Sequence, residues 1–554
     1  MAILNVPGTY SSIRAALIAA GNGDTIEIAS GSFDITFPGF NNSLAYSAAP
    51  NCSTGFINGV TTLTYDGAGN SNDGSVTTIT GNARLFQKNA DGTPPVSVTY
   101  RDLDFLYSGA SGYILQTGDF GVSEANTLTK SIILDNVSFR GTHAGTASAS
   151  GNYSAVLGIR NFSLNNSIVS LAGQAGFTGG SVNSGGSSFL MLSGGQGAGG
   201  SISITDNTFD ESGYRNALSI FDSQSVTLTG NTFSRGTGTQ FVRTNGAGVP
   251  KSNKIANSTG VTIGAAGATP SNTFANGSFL SLEGGSGTLV NNLFTGQNVT
   301  LSSTYGDPGA IGILLENHTA TNTNPAYTYT QNSFRFVSPF VNLTSAIQTV
   351  TTNGTADNTI ANPNNGNALA IQQFVTGTSA GEVVASTTSN RSDFLSGGLG
   401  NDTLNGGVIG ATIDNDFFLF DTVPDTNTNW DTIINFQPNP GGTNTDRLVL
   451  SRAIYRDLTT TSVVAGAGGL NGIGVLLQNT AGGGQIFNSG SSVNFTTAAQ
   501  RIGLITSGAD QGTLWYDRDG SGGTYSPVRF ARIFTDNGVT GLNSVSALGN
   551  VFVI

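Results

Sequence analysis

A short phrase of alternating apolar and polar residues recurs through the first two thirds of the chain. Each copy ends in Asn, a small residue and then Phe or Ile. The copies are Leu134–Phe139, Leu164–Ile168, Ile204–Phe209, Leu228–Phe233, Ser271–Phe274, Val290–Phe294, Thr330–Phe334 and Asp357–Ile360. Alternation with a period of two indicates strands, and a recurrence of roughly 20 to 40 residues is typical of solenoid coils that carry loops. The pattern predicts stacked short strands.

The Asn and the Phe of each phrase have separate expected roles. Asn tolerates the left-handed backbone that a tight corner requires, and stacked Asn side chains can hydrogen-bond from coil to coil. The Phe is expected to point inward and to stack on its counterpart in the next coil.

One helix is predicted near the N-terminus, over Ser11–Gly21, where Ser precedes Ala and Leu and Gly ends the run. A turn and an alternating strand follow in Gly23–Ile28. This order resembles the N-terminal cap of pectin-lyase-like β-helices, in which a helix covers the first coil. We therefore expect an all-β fold, a right-handed parallel β-helix with a capping helix, over residues 1–375.

The amino-acid composition agrees with a fold of tight turns and excludes some classes of function. The chain has 554 residues, with 78 Gly, 37% hydrophobic and only 10% charged residues, and a formal charge of −12. A disordered chain would contain fewer hydrophobic residues than this. The negative formal charge argues against nucleic acid as a partner, because binding to nucleic acid requires a basic surface. No run is long enough for a membrane span, and no N-terminal signal peptide is evident. The single cysteine, Cys52, predicts no internal disulfide.

A different repeat begins near residue 392. Gly397–Asn405 fits the calcium-binding nonapeptide G-G-x-G-x-D-x-U-x at every fixed position. Glycine-rich turns of this kind bring backbone carbonyls and an Asp carboxylate around a hard cation, which prefers oxygen ligands. The expected Ca²⁺-binding residues are Asp393, Gly398, Gly400, Asp402, Asp414, Asp416 and Asp431.

Several phrases extend this motif to the C-terminus. They are Phe417–Asp421, Asn429–Phe436, Asp446–Leu450, Gly512–Gly522 and Gly549–Ile554. Together they resemble the C-terminal module of RTX proteins, as in serralysin-type proteases. The resemblance implies a short RTX β-roll/β-sandwich module, with a calcium-binding β-roll region over residues 376–446 and a C-terminal RTX module over residues 447–554 that carries an uncleaved signal for type I secretion. It also implies an extracellular or cell-surface location in a Gram-negative bacterium or cyanobacterium, with the secretion machinery as a partner.

A β-helix joined to RTX repeats also resembles secreted mannuronan C5-epimerases and some polysaccharide lyases. The epimerase pattern Tyr-Gly-x-Asp-Pro-His is approached by Tyr305–Gly309, which has Gly in place of the His and is better interpreted as a turn. The two histidines, His143 and His318, lie in polar stretches typical of solvated loops.

The densest acid–base candidates lie near the middle of the chain: Asp206, Asp210, Glu211, Tyr214, Arg215 and Asp222. If the protein is an enzyme, Asp210, Glu211 and Arg215 are the predicted catalytic residues. A polar turn is the simpler interpretation of the same residues.

Three functions follow as hypotheses. The first is a secreted calcium-binding structural or surface protein that self-associates into a matrix fibre, sheath or adhesive layer. The alternative is a carbohydrate-active enzyme (a lyase, epimerase or glycosidase), with an extracellular polysaccharide as partner. The third is an ice- or crystal-face binder, for which Thr227–Thr229 and Thr328–Thr330 are suitable but irregularly spaced.

Overall fold

The structure is a computed structural model of the chain. It describes residues 1–34, 62–70, 74–80, 97–107, 115–117, 131–142, 154–172, 188–194, 200–211, 216–234, 253–296, 311–318, 323–335, 337–351, 358–360, 369–371, 373–386, 392–407, 415–438, 446–458, 460–461, 474–476, 485–548 and 551–553. The chain forms two compact units. Unit 1 comprises Met1–Thr239, Asn245–Asn292 and Pro325–Tyr327, and unit 2 comprises Gln240–Thr244, Leu293–Asn324 and Thr328–Ile554.

Unit 1 contains three parallel sheets, and consecutive strands along the chain pass from one sheet to another. Sheet A contains Ile3–Val6, Asp24–Ile28, Thr62–Asp66, Ser97–Arg101, Ser131–Asp135, Asn161–Asn165, Ser201–Thr205, Val226–Thr229, Val261–Ile263 and Ser286–Val290. Sheet B contains Gly31–Asp34, Thr77–Thr80, Asp104–Tyr107, Ser138–Thr142, Ile168–Ala172, Thr208–Asp210, Thr232–Ser234 and Asn272–Ala275. Sheet C contains Leu115–Thr117, Ser154–Ile159, Ser188–Gly194, Asn216–Phe221, Asn253–Ala256 and Leu280–Glu283.

Buried amide side chains form a ladder beside sheet B. The Nδ2 atoms of Asn207, Asn231 and Asn272 each donate to the Oδ1 atom of the next Asn, ending at Asn292, over 2.9, 3.0 and 2.9 Å. Asn231 Nδ2 also donates to the carbonyl of Ile204 at 2.8 Å. Each of these four Asn residues is at most 1% exposed. The expected hydrogen-bonded Asn ladder is confirmed.

The left-handed corner lies one residue before the ladder position. In Ile204–Phe209 the residue with positive φ is Asp206, at 57°, whereas Asn207 stands in the ladder. Asn136 and Asn166 occupy the left-handed position in their own phrases, with φ of 51° and 48°. In Ile204–Phe209 the two roles expected of one Asn are therefore divided between neighbouring residues. Asn136 and Asn166 keep both roles, because their Nδ2 atoms also donate to Asp102 and Asp135 of the preceding coil, over 2.6 and 3.3 Å.

Phenyl rings stack inside unit 1 along sheet B. Ring centroids of Phe209 and Phe233 lie 4.7 Å apart, and those of Phe233 and Phe274 lie 4.9 Å apart, with nearly parallel planes. The inward stacking of Phe is confirmed. In the phrase Leu164–Ile168, however, the residue in register with buried Phe139 is Val169, and Ile168 lies on the other side of the strand.

The capping helix is confirmed at Ile13–Ala19. The Ser12 hydroxyl accepts a hydrogen bond from the Ala15 amide at 3.1 Å, which is the usual N-cap contact. A strand that sequence reasoning missed, Ile3–Val6, precedes the helix and pairs in parallel with Asp24–Ile28. Ala16 and Leu17 of the helix are buried.

Unit 2 contains two principal sheets. Sheet D contains Gln348–Thr351, Gln373–Thr376, Asp393–Ser396, Phe417–Phe420, Arg447–Leu450, Phe552–Val553, Gly474–Leu476 and Thr460–Thr461. Sheet E contains Val383–Ala385, Thr403–Asn405, Asp431–Ile434, Val528–Ile533, Thr513–Tyr516, Ile502–Leu504 and Ile486–Asn488. From Gln373 to Leu450 the described strands alternate between the two sheets, so that each coil contributes one strand to sheet D and one to sheet E. The 3₁₀ helices are Gly520–Gly522 and Val545–Leu548.

The remaining described strands are Asn292–Thr295, Ile311–Glu316, Ala326–Thr330, Ser333–Arg335, Ser338–Asn342, Asn358–Ile360 and Leu369–Ile371. The prediction of an all-β, parallel β-helix fold is confirmed, while the domain limits 1–375, 376–446 and 447–554 stay predictions. In the described ranges the structure contains no helix with the length and apolar character needed to cross a bilayer.

The Asn ladder yields a prediction about stability. Replacing Asn231 by Ala leaves the side chains of Asn207 and Asn272 and the Ile204 carbonyl each short of a hydrogen bond in a buried setting. We expect the free energy of unfolding in urea to fall by about 2–4 kcal/mol. Gln224→Ala, at an exposed position, is the control and should change it by less than about 0.5 kcal/mol. Equal effects of the two substitutions would show that the ladder does not stabilise the fold.

Candidate metal centre

Three acidic residues occupy equivalent positions in successive coils of unit 2. Glu382 and Asp402 are the last residues of the turns that lead into Val383–Ala385 and Thr403–Asn405, and Asp431 begins the strand Asp431–Ile434. Thr403 is in register with Val383 on one side and Thr432 on the other. Parallel pairing therefore places the three carboxylates in one column at the edge of sheet E.

Backbone amides orient this column. Asp402 Oδ1 accepts a hydrogen bond from the Glu382 amide at 2.7 Å, and Asp431 Oδ1 accepts one from the Asp402 amide at 3.1 Å. Each Asp thus receives a hydrogen bond from the backbone of the preceding coil. This contact fixes one carboxylate oxygen of each Asp.

The second oxygen of Asp402 is buried against Gly397. A Cβ atom on that glycine would lie 2.5 Å from Asp402 Oδ2, and Asp402 is 2% exposed. Within the described residues, Oδ2 has no hydrogen-bond partner. A buried carboxylate oxygen without a donor is costly, because the charge has lost its water and gained nothing in exchange.

The pKa values of Asp402 and Asp431 reflect the same cost of burying a carboxylate. Burial raises the pKa of Asp402 to about 7, and repulsion from Glu382 adds to the shift. Burial, and then the charge of Asp402, raise the pKa of Asp431 well above its ordinary value. A cation placed at this column would remove the penalty for both carboxylates.

The glycines of the nonapeptide permit the close approach of neighbouring turns. Gly398 and Gly400 have φ of +87° and +120°, which side chains rarely adopt. A Cβ on Gly398 would lie 2.2 Å from the Thr378 carbonyl oxygen, and one on Gly400 would lie 2.7 Å from the Ala380 carbonyl carbon. Backbone carbonyls of the preceding coil therefore lie close to the turn that carries Asp402.

A second acidic column lies where the strands of sheet D begin. Asp416 Oδ1 accepts from the Asp393 amide at 3.1 Å, and Asp446 Oδ1 accepts from the Asp416 amide at 2.9 Å. Asp446 Oδ2 accepts from the Gln437 amide at 2.8 Å. The structure therefore divides the predicted ligands, with Asp402 and Asp431 in one column and Asp393 and Asp416 in the other. Asp414 lies outside the described residues.

Sequence reasoning missed two members of these columns, Glu382 and Asp446. Gly377–Ala385 keeps the first Gly, an acid and an apolar residue at nonapeptide positions one, six and eight, so it is a degenerate copy of Gly397–Asn405. Asp446 was visible as an acid directly before the apolar strand Arg447–Leu450, as Asp416 is before Phe417–Phe420.

The carboxylates of this column suit a hard cation only if backbone carbonyl oxygens of the glycine turns also act as ligands. Among the described residues, no group of three or more His, Cys, Asp or Glu side chains is arranged to hold a metal ion. Carboxylate oxygens of Asp402 and Asp431, together with carbonyls of the glycine turns, are the kind of ligands that Ca²⁺ takes and that softer metals do not prefer. The residues fit calcium by the chemistry of their donors.

The alternative catalytic candidates in unit 1 are placed differently. Glu211 is 2% exposed and accepts a hydrogen bond from Asn253 Nδ2 at 2.8 Å. Asp210 is half-buried, in register with Ser170 and Ser234 on sheet B. Arg215 lies outside the described residues, so a catalytic group of Asp210, Glu211 and Arg215 stays a prediction.

The remaining candidates are dispersed. Asp206 is the left-handed corner described above, and Asp222 accepts a hydrogen bond from Asn257 Nδ2 at 2.7 Å. The His318 amide donates to the Thr323 carbonyl at 3.0 Å. Four further candidates lie outside the described residues: Cys52, His143, Tyr214 and Tyr305–Gly309.

No model of a known protein family matches this sequence, and no curated protein matches it either. The resemblance to RTX modules and pectin-lyase-like β-helices therefore stays a prediction from the motifs.

The raised pKa of Asp402 predicts how stability depends on pH without calcium. The folded chain holds this proton more tightly than the unfolded chain, so stability is greatest below the unfolded pKa near 4 and is lost as the pH rises toward about 7. Asp402→Asn keeps an oxygen for the Glu382 amide but carries no charge. In chelator at pH 8 it should therefore raise the free energy of unfolding of unit 2 by about 2 kcal/mol.

Asp425→Asn is the matched control for this experiment. Hydrogen bonds from the Asn427 and Thr428 amides lower the pKa of Asp425, so its charge is favourable in the folded chain. The substitution should leave stability unchanged or lower it at pH 8, which is opposite in sign to Asp402→Asn. Loss of stability in both variants would contradict the assignment of an unfavourable buried charge to Asp402.

Proposed function

We propose that this chain is a secreted, calcium-dependent structural or surface protein that associates with copies of itself outside the cell. The observation that carries the proposal is the buried Asp402 Oδ2 atom, which lies in a column of acids and has no hydrogen-bond donor among the described residues. A bound cation is the simplest way for a folded chain to keep such a group ionised.

Calcium would act as a structural ligand in this role. When bound, the ion compensates the stacked carboxylates, and the turns that hold them become ordered because binding and folding are coupled. Asp402 and Asp431 would supply carboxylate oxygens at sheet E, and the turn containing Gly398 and Gly400 would supply backbone carbonyls. Asp393 and Asp416 are proposed for the same role at the start of the strands of sheet D.

The low charge of the chain supports association. Only 10% of the residues are charged, whereas soluble domains usually carry about 25%. Weak charge repulsion favours contact between copies, and sheet edges and flat faces are natural contact surfaces. Export through type I secretion, read from the C-terminal RTX-like module, is part of the same proposal.

The calcium proposal predicts that the effect of Asp402→Asn on stability changes sign when calcium is added. Wild-type protein should gain about 3 kcal/mol of stability when calcium is raised to roughly a hundred times its dissociation constant. Asp402→Asn should be more stable than wild type in chelator but should gain much less from calcium. Melting curves in chelator and in millimolar calcium measure both effects.

In the same curves, Asp425→Asn should gain as much from calcium as wild type does, because this exposed carboxylate belongs to neither acidic column. If Asp402→Asn gains as much stability as wild type, calcium does not bind at the column and the proposal fails.

The association proposal predicts large species in solution. Light scattering of the purified protein should show particles far heavier than the 56.5 kDa chain in millimolar calcium, and micrographs should show repeating contacts. Alginate and pectin incubated with the same sample should acquire no new unsaturated ends. A strictly monomeric protein that cleaves either glycan would instead favour the enzyme hypothesis.

A further inference from the structure

A column of hydroxyl side chains follows the outward side of sheet A in unit 1. The strand registers align Thr25, Thr64, Thr99, Ile133, Ser163, Ser203, Thr227, Thr262 and Thr288, one residue per strand. Eight of these nine residues are Ser or Thr. Their spacing along the sequence is irregular because the connections between strands differ in length, but parallel pairing makes their spacing in the sheet regular.

The columns on either side extend this surface. Two residues before the central column stand Thr62, Ser97, Ser131, Asn161 and Ser201, and two residues after it stand Glu27, Asp66, Arg101, Asp135, Asn165, Thr205 and Thr229. From Asn161–Asn165 onward, the strand residues in all three columns are uncharged. We call these three columns the hydroxyl face.

The central hydroxyls are available to an external partner. Within the described residues, no hydrogen bond involves the hydroxyls of Thr64, Thr99, Ser203, Thr227 or Thr262. Each can donate one hydrogen bond and accept two. They are fixed at one end by the strand backbone, so little freedom would be lost when a partner binds.

The spacing defines the kind of partner. Neighbouring strands lie about 4.8 Å apart, and alternate residues along one strand lie about 6.7 Å apart, so the residues of the face form a two-dimensional lattice whose central column carries the hydroxyl groups. The shorter repeat is close to the oxygen repeat in the basal plane of hexagonal ice. The chain carries a formal charge of −12, yet the central column bears none, and this matches an uncharged surface.

We propose that the hydroxyl face binds the surface of ice. A neutral glycan fits less well, because sugar rings are usually bound by aromatic stacking, and the three columns contain no aromatic residue. The proposal is independent of calcium binding and of self-association.

The test uses the full chain in calcium and measures its incorporation into a slowly growing ice surface. Thr262→Lys places a charged chain in the central column at an exposed position, where folding should be preserved. Thr273→Lys is the matched control, since Thr273 lies on sheet B in register with Thr232. Wild type and Thr273→Lys should enter the ice, and Thr262→Lys should be excluded to the level of an unrelated soluble protein.

Melting curves check that both variants fold, and Thr99→Lys, five strands away in the same column, repeats the test at an independent site. Exclusion of wild-type protein from ice overturns the proposal. So does equal incorporation of wild type and a folded Thr262→Lys variant, or loss of incorporation in Thr273→Lys alone. Binding of wild type to crystalline cellulose but not to ice would assign the face to a glycan instead.

Discussion

Every structural column in this protein depends on one constraint: parallel strands of successive coils must return in register. The constraint brings like residues above one another, because each coil offers the same position at the same place. In unit 1 it aligns the amides of Asn207, Asn231 and Asn272, the rings of Phe209 and Phe233, and the hydroxyls of sheet A. In unit 2 it aligns carboxylates.

Whether such a column stabilises the fold depends on the chemistry of the stacked group. An amide has both a donor and an acceptor, so a stack of Asn satisfies itself. A carboxylate has only acceptors, so Asp402 above Asp431 needs donors from elsewhere. Backbone amides supply some of them, but Asp402 Oδ2 receives none within the described chain. The same register that favours the Asn ladder makes the acidic column unfavourable on its own.

Sequence patterns predicted the elements better than the register. The Asn–Phe phrase predicted the ladder and the aromatic stack, and Ser12 with the Ala and Leu residues after it indicated the capping helix. The exact alignment depends on where each loop ends, which local patterns do not encode. Val169 therefore occupies the inward position expected of Ile168, and Glu382 escaped notice because its turn lacks most of the nonapeptide glycines. The hydroxyl column of sheet A was not predicted either, because local patterns do not show which Ser and Thr residues of successive coils share a register.

The Asn ladder also sets the way in which this chain can change length during evolution. Amides in direct contact are separated by 24, 41 and 20 residues along the sequence, so the connections between them vary twofold without disturbing the contact. Inside a strand this tolerance is lost, because deletion of one residue between Asn231 and Phe233 would turn the following side chains of that strand to the opposite side. Viable insertions and deletions should therefore occur as loop segments or as whole coils, and the gene should diverge by duplication of such modules.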